Sequence, residues 1–345
     1  MSRRRPIKDV LLSVLTAPGL NLLFAPLRRD RASVFMLHRF RDPERGVAGH
    51  DPEALRRALG YLRRHGYELV GLADLFRRLA GEGPPLRRAV AFTIDDGYLD
   101  HATVAAPVFA EYDCPVTTFV TTGFLDGALW MWWDRAEYVF LNCRRPELRV
   151  TLAEDPLSYR WRTDAERDAA RSDFTMRCTH VPNDEKDAAI ARLAAAAEVD
   201  VPEEPPPPYA PMTWDQLRAA EARGMTFGAH TVTHPVLART PDEQSRQEIL
   251  GSWERLRAMA SRPVPIFCYP NGQEADYGER EIAVLREAGF AGAVVGRPGY
   301  ADLASFRTAD GPFRVRRFGY AEDLPHLVQC VSGMERAKEL LRGNR

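Results

Sequence analysis

"RRAVAFTIDDGYLDHATVAAPVFAEYDCPVTTFVTT", from Arg87 to Thr122, is the stretch on which the fold turns. The apolar run "RRAVAFTI" leads through a helix-like "ATVAAPVFAEY" to a second apolar run, "PVTTFVTT". Short apolar runs on either side of a helical stretch read as a strand–helix–strand unit with parallel strands. At the end of the first strand Asp95 and Asp96 stand side by side, with Gly97 next. Adjacent carboxylates repel, and desolvating either is costly unless something positive lies near. Asp-Gly is a common turn pair, so an acidic turn is one reading. A metal or catalytic site at the strand end is the other.

The same alternation extends in both directions. Upstream lie "SVFMLHRF" as a strand and "DPEALRRALGYLRRHG" as a helix, with Asp51 as its N-cap, Pro52 in its first turn and Gly66 at its stop. "YELVGL" follows as a strand and "ADLFRRLA" as a helix. Downstream come helix "WDQLRAAEARG", strand "MTFGAH", helix "PDEQSRQEILGSWERLRAMA", strand "VPIFCYP", helix "EREIAVLREAG" and strand "AGAVV". About seven βα repeats predict an α/β fold with a parallel sheet, open or closed into a barrel.

Residues Glu137 to Pro211 break the rhythm with a strand-like "ELRVTL", two charged helical stretches (Thr163 to Cys178, Asn183 to Val199) and the stiff run "EEPPPPYAP". They read as an insertion or lid. The domain layout expected is therefore a segment 1–32, a main domain 33–322 interrupted by 137–211, and a helical tail 323–345.

The 345 residues can bury a large core, and a net charge of -1 gives no basic stripe for nucleic acid. The five cysteines, Cys114, Cys143, Cys178, Cys268 and Cys330, form no C-x-x-C pair, so neither a disulfide framework nor a thiolate zinc site is suggested. "MSRRRPIKDVLLSVLTAPGLNLLFAPLRRDR" is too interrupted to span a membrane and makes a poor secretion signal. Its flanking arginines suit peripheral contact with an anionic membrane, and packing as a helix on the domain is the other reading. The expected location is the cytoplasm, or its membrane surface.

"MTFGAHTVTHP" places His230 and His234 four apart beyond a strand. Strand ends in a βα fold converge on one mouth, where Asp95 and Asp96 would also lie. Two imidazoles with one carboxylate suit a divalent cation, zinc by default, with positions left for water and substrate. One Asp would neutralise the ion and the other work beside it.

These residues resemble the polysaccharide deacetylase family (the nodulation-type chitooligosaccharide deacetylase homology domain, carbohydrate esterase family four). Thr93-Ile94-Asp95-Asp96-Gly97 is similar to its T-F-D-D-G motif, and His230-Thr231-Val232-Thr233-His234 to its H-[ST]-x-x-H motif. The resemblance runs from Ser33 to Tyr320 apart from the insertion and implies a distorted (β/α) barrel. It implies Asp95 as general base, Asp96, His230 and His234 as metal ligands, and Thr231 as a brace. The third motif is altered to "FCYPNG", which lacks its arginine; Tyr269, Pro270 and Gly272 would line the acetyl pocket and offer an N–H to the oxyanion, and an ordinary Pro-Asn-Gly turn is the other reading. Leu324 and His326 in "DLPHLVQC" are poor candidates for the leucine-x-histidine acid. "FMLHRF" instead resembles the poly-N-acetylglucosamine deacetylase branch with permuted motifs, which makes His38 the expected acid. In "RVRRFGY", Arg317 resembles that branch's late arginine and would orient Asp95, although Arg316 is adjacent.

In "LWMWWDRAEY", Trp133 is the candidate for stacking on a sugar, and Trp130 and Trp132 suit core anchors as well. His50, His65, His101 and His180 show no partner pattern. The function expected is metal-dependent removal of N-acetyl groups from an N-acetylated glycan. Its rivals are a deformylase, an O-acetyl esterase on a lipid-linked or polymeric sugar, and a non-catalytic carbohydrate-binding relative.

Overall fold

The computed structural model describes residues 20–343, so most of the basic N-terminal segment expected to touch a membrane lies outside the described residues. What is described of that segment, Leu20–Arg28, packs against the helices Leu324–Ser332 and Met334–Leu341. Among the described residues no helix is long and apolar enough to cross a membrane.

Eleven strands follow one another: β1 (Arg31–Leu37), β2 (Glu68–Leu69), β3 (Ala89–Asp96), β4 (Val116–Val120), β5 (Glu147–Leu152), β6 (Asp155–Arg160), β7 (Met225–Ala229), β8 (Pro263–Cys268), β9 (Gly292–Val294), β10 (Ala301–Asp302) and β11 (Phe318–Gly319). The central sheet runs β1-β3-β4-β7-β8-β9 with every neighbour parallel. β3 and β4 are buried along their whole length, as strands covered on both faces must be. Beyond β9, Val294 bridges Val315, and β11 pairs in parallel with β1, Phe35 opposite Phe318. The segment from Val315 to Gly319 thus links the two edges, and the sheet curls into the distorted barrel that the motifs implied.

Alternation along the strands sorts the side chains. Phe35, Val90, Phe92, Ile94 and Phe227 meet helices such as Pro52–Arg64 and Trp214–Glu221 on the outside. Val34, Ala91, Phe119, Ile266, Cys268 and Val294 form a second core with Leu72, Leu75, Phe76 and Leu79. Asp95 continues this inner row, two residues beyond Thr93. By the same alternation Asp96 would point outward, but its φ of 91° turns the chain. Both carboxylates therefore reach the same cavity.

Local signals hold where they were strongest. Asp51 caps Pro52–Arg64 through its side chain, which accepts from Glu53 N–H, and Gly66 just beyond has φ 68°. The helix expected after β3 opens as a π-turn, His101–Ala105, before becoming Ala106–Ala110. The insertion builds its own core from Phe140, Leu148, Val150, Phe174, Ile190 and Leu193, and the helix Trp132–Asn142 that joins this core starts before the expected boundary at 137. Its hairpin β5-β6 is antiparallel.

Between β7 and β8 the register shifts at Gly228. A Cβ there would stand 2.6 Å from the Phe119 ring and 2.7 Å from Ile266 O. Gly228→Ala should therefore overpack the barrel two residues from His230 and cost about 1–3 kcal/mol, read from denaturant unfolding.

Candidate active site

Asp96 Oδ1 lies 3.7 Å from His230 Nε2 and 3.7 Å from His234 Nε2, and all three side chains are buried. The ligand atoms of the trio lie within 4.8 Å of one another. His230 Nδ1 contacts Cys268 O at 2.7 Å, which fixes the proton on Nδ1 and turns the Nε2 lone pair toward Asp96. Burial lowers the His230 pKa to about 4 and that of His234 well below its ordinary value, so both rings are neutral at neutral pH. Asp96 is pushed well up by burial and then by the Asp95 and Asp134 carboxylates. Neutral imidazoles converging on a carboxylate that lacks a cationic partner fit a divalent metal.

Asp95 meets Arg317 in a bidentate pair, Nη1 to Oδ1 at 2.7 Å and Nη2 to Oδ2 at 2.8 Å. Burial alone would raise the Asp95 pKa; the guanidinium overrides it and holds the carboxyl well below the usual carboxylate range. Arg316 turns the other way, half exposed, toward Glu339. Arg317 also donates to Thr93 Oγ1 and to Cys268 Sγ, and the Cys268 thiol lies 3.5 Å from Asp95 Oδ2.

His38 extends the inner row of β1, its side chain 47% exposed onto the cavity and Nε2 4.0 Å from Asp95 Oδ2. The protein walls around it lower its pKa against the upward pull of Asp95. His101, one of the histidines without a partner pattern, is buried beneath and bonds His38 O through Nε2. His326 lies on Leu324–Ser332, outside the cavity lining.

These groups share a cavity of about 1050 Å³. Glu137, Leu141, Arg171 and His180 of the insertion form one wall together with Trp133 and Asp134 just before it, so the insertion shapes the site. Of the predicted glycan contacts, Trp133 and Tyr269 line the cavity. Pro270 and Gly272 do not: both are buried behind Asn271, which takes the place on the wall. Gly272 has φ 68°, and a Cβ there would stand 2.5 Å from Gly296 N, so its smallness serves backbone packing. Trp130 stacks on Tyr209 and Trp132 faces Lys186.

Sequence reading missed several neighbours. Trp133 Nε1 donates to Tyr98 Oη at 2.9 Å, and Tyr98 Oη donates to Asp134 Oδ2 at 2.7 Å. Burial raises the Asp134 pKa to about 7. In the sequence the only signal of this carboxylate is its place directly after two tryptophans, in "WWD". Glu248, from the helix Asp242–Met259, accepts from Val232 N, Thr233 N and Thr233 Oγ1. Thr231 Oγ1 accepts from His234 N–H at 3.0 Å. Together they hold a loop in which Thr231 and His234 have φ of 67° and 58°. Glu248→Ala should loosen the ring positions and weaken affinity for a divalent cation about 10- to 100-fold, measured by competitive metal titration.

Residues 188–293 match the family model described as polysaccharide deacetylase, a span that takes in both histidines but not β3. No curated protein matches the sequence significantly. Among solved structures, the chain is similar to the deacetylase PplD of Streptococcus pyogenes, in complex with acetate, at 16% identity over 88% of this chain and 99% of that one, TM-score 0.56. It is similar to a de-N-acetylase from Aggregatibacter actinomycetemcomitans at 15% identity, covering 85% and 96%, TM-score 0.52. IcaB from Ammonifex degensii is similar at 16% identity, covering 88% and 97%, TM-score 0.51. At such identities the likeness is one of fold. Joined to the family match over residues 188–293, it makes the chain similar to polysaccharide deacetylases in fold and in the segment that carries His230 and His234.

Proposed function

We propose that the protein is a metal-dependent hydrolase that removes N-acetyl groups from an amino-sugar polysaccharide or oligosaccharide and releases acetate. One observation carries this reading: Asp96, His230 and His234 converge at one point, while the adjacent Asp95, paired with Arg317, stands 4.0 Å from His38 in the same cavity. Asp96, His230 and His234 would hold the cation, and two imidazoles with one carboxylate suit zinc. When bound, such an ion polarises a carbonyl and makes a nearby water more acidic.

The chain's own residues then move one proton. Asp95 takes it from the water that attacks the acetamide carbon. Tied to Arg317, the carboxylate holds this proton weakly and passes it to His38, whose lowered pKa leaves the ring free to receive it. His38 delivers it to the departing nitrogen. The new C–O bond replaces the C–N bond, and acetate and a free amine leave. Trp133 and Tyr269 offer aromatic faces to the sugar along the wall.

Acetate release from N-acetylated chitooligosaccharide by the zinc-loaded protein tests the reading. Asp95→Asn should lower turnover about 100- to 10,000-fold with the metal retained, and Asp96→Ala should lose the metal itself, read by elemental analysis. Wild-type turnover in Asp95→Asn would refute the assigned base.

A further inference from the structure

His38, the residue that would deliver the proton, stands just past the reach of the sheet. The β1–β3 ladder ends at Leu37, opposite Ile94, and on the other side β11 pairs no further than Met36, opposite Gly319. Main-chain groups beyond a ladder need partners from elsewhere. For the His38 carbonyl and the Phe40 N–H they come from one place, the turn that follows Gly97. His101 Nε2 lies 2.5 Å from His38 O, and Asp100 Oδ2 accepts from Phe40 N–H at 2.6 Å. Asp100 Oδ1 accepts from Arg39 Nε at 3.0 Å, and Arg39 Nη2 donates to Pro208 O at 2.6 Å. Three consecutive residues, His38 to Phe40, are thus held by two, Asp100 and His101.

Two features set this clamp apart from ordinary packing. The turn opens with a π-type bond from Ala106 N–H to His101 O, five residues back, and such wide turns recur at functional sites. His101 is also an expensive residue to bury. A carbonyl only accepts, so Nε2 carries the proton; burial lowers the ring's pKa to about 4, which leaves Nδ1 a bare lone pair. That nitrogen is buried with no partner among the described residues. An apolar side chain set against Phe40 and Tyr98, as this ring is, would avoid the penalty but bring no donor. We infer that His101, supported by Asp100, is a positioning residue of the reaction: its Nε2–H grips His38 O and holds the His38 imidazole over Asp95. This rests on the reading of His38 as the proton donor. The His38 ring has its Nε2 4.0 Å from Asp95 Oδ2, and an ångström of misplacement at such a contact lowers turnover about 100-fold. None of the clamp's bonds involves Asp96, His230 or His234.

The test measures acetate release from N-acetylated chitooligosaccharide by zinc-loaded wild type, His101→Phe, His101→Gln, His38→Ala and the double variant of His38→Ala with His101→Phe. His101→Phe should lower kcat about 10- to 100-fold, with KM little changed and zinc retained. His101→Gln, whose amide N–H reaches about as far as Nε2, should recover most of that loss. In the His38→Ala background His101→Phe should bring little further loss, because it acts through His38, whereas a general structural defect would multiply the two losses. Multiplied losses would overturn the inference, as would wild-type kcat in His101→Phe or a His101→Gln no better than His101→Phe. If His101→Phe does not fold, Asp100→Asn answers the same comparison in the two backgrounds, since it leaves the clamp one acceptor oxygen. Undiminished turnover in His38→Ala would instead strike the assignment of His38, and this inference with it. No acetate from the zinc-loaded wild type would strike the deacetylation reading as a whole.

Discussion

The bidentate contact of Arg317 with Asp95 ties the closing segment of the barrel to its central strand, and the site is organised around it. Both partners are buried, where an isolated carboxylate would be forced to take up a proton. Arg317 supplies the compensating charge, and two parallel N–H···O bonds fix the carboxylate's orientation as well as its ionisation. Asp96, one residue on, has no such partner among the described residues. The chain has thus settled the charge of one carboxylate internally, while the other faces the neutral rings of His230 and His234. The two residues look identical in the sequence and are opposite in chemistry because a single arginine reaches only one of them.

Backbone geometry carries the second constraint. Asp96, Thr231, His234 and Asn271 all have positive φ, and all belong to the loops at the mouth. Non-glycine residues hold such conformations only where their surroundings over-determine them. Glu248 and the Thr231 hydroxyl do this for the histidine loop, and the close approach of Gly272 to Gly296 does it for the loop that carries Asn271. The strain and its restraints lie together, around the groups whose positions matter to the chemistry.

Much of this was legible in the sequence. Periodicity and caps mark the strands and helices of the barrel, because burial on both faces leaves unbroken apolar runs. The Asp and His pairs stand at strand ends, where the topology gathers them. The choice between Arg317 and Arg316 was not legible until the strand pairing set which of the two faces inward. Asp134, Glu248 and Cys268 escaped because their roles come from contacts with residues distant in the chain, which no local pattern announces. The hairpin strand Asp155–Arg160 escaped for another reason: it is mostly exposed and shows no apolar alternation. Pro270 and Gly272 resembled pocket residues, but they shape the loop from behind and leave the wall to Asn271.

The φ of 91° at Asp96 narrows which amino acids this position can hold. Among residues with a side chain, aspartate and asparagine tolerate such a backbone best, since their short polar groups bond locally. Glutamate would bring the same charge but also a longer chain and the full steric penalty. Glycine would relax the turn but bring no oxygen. Neither the demand for charge nor the demand of the backbone would single out one residue, but their overlap leaves aspartate nearly alone.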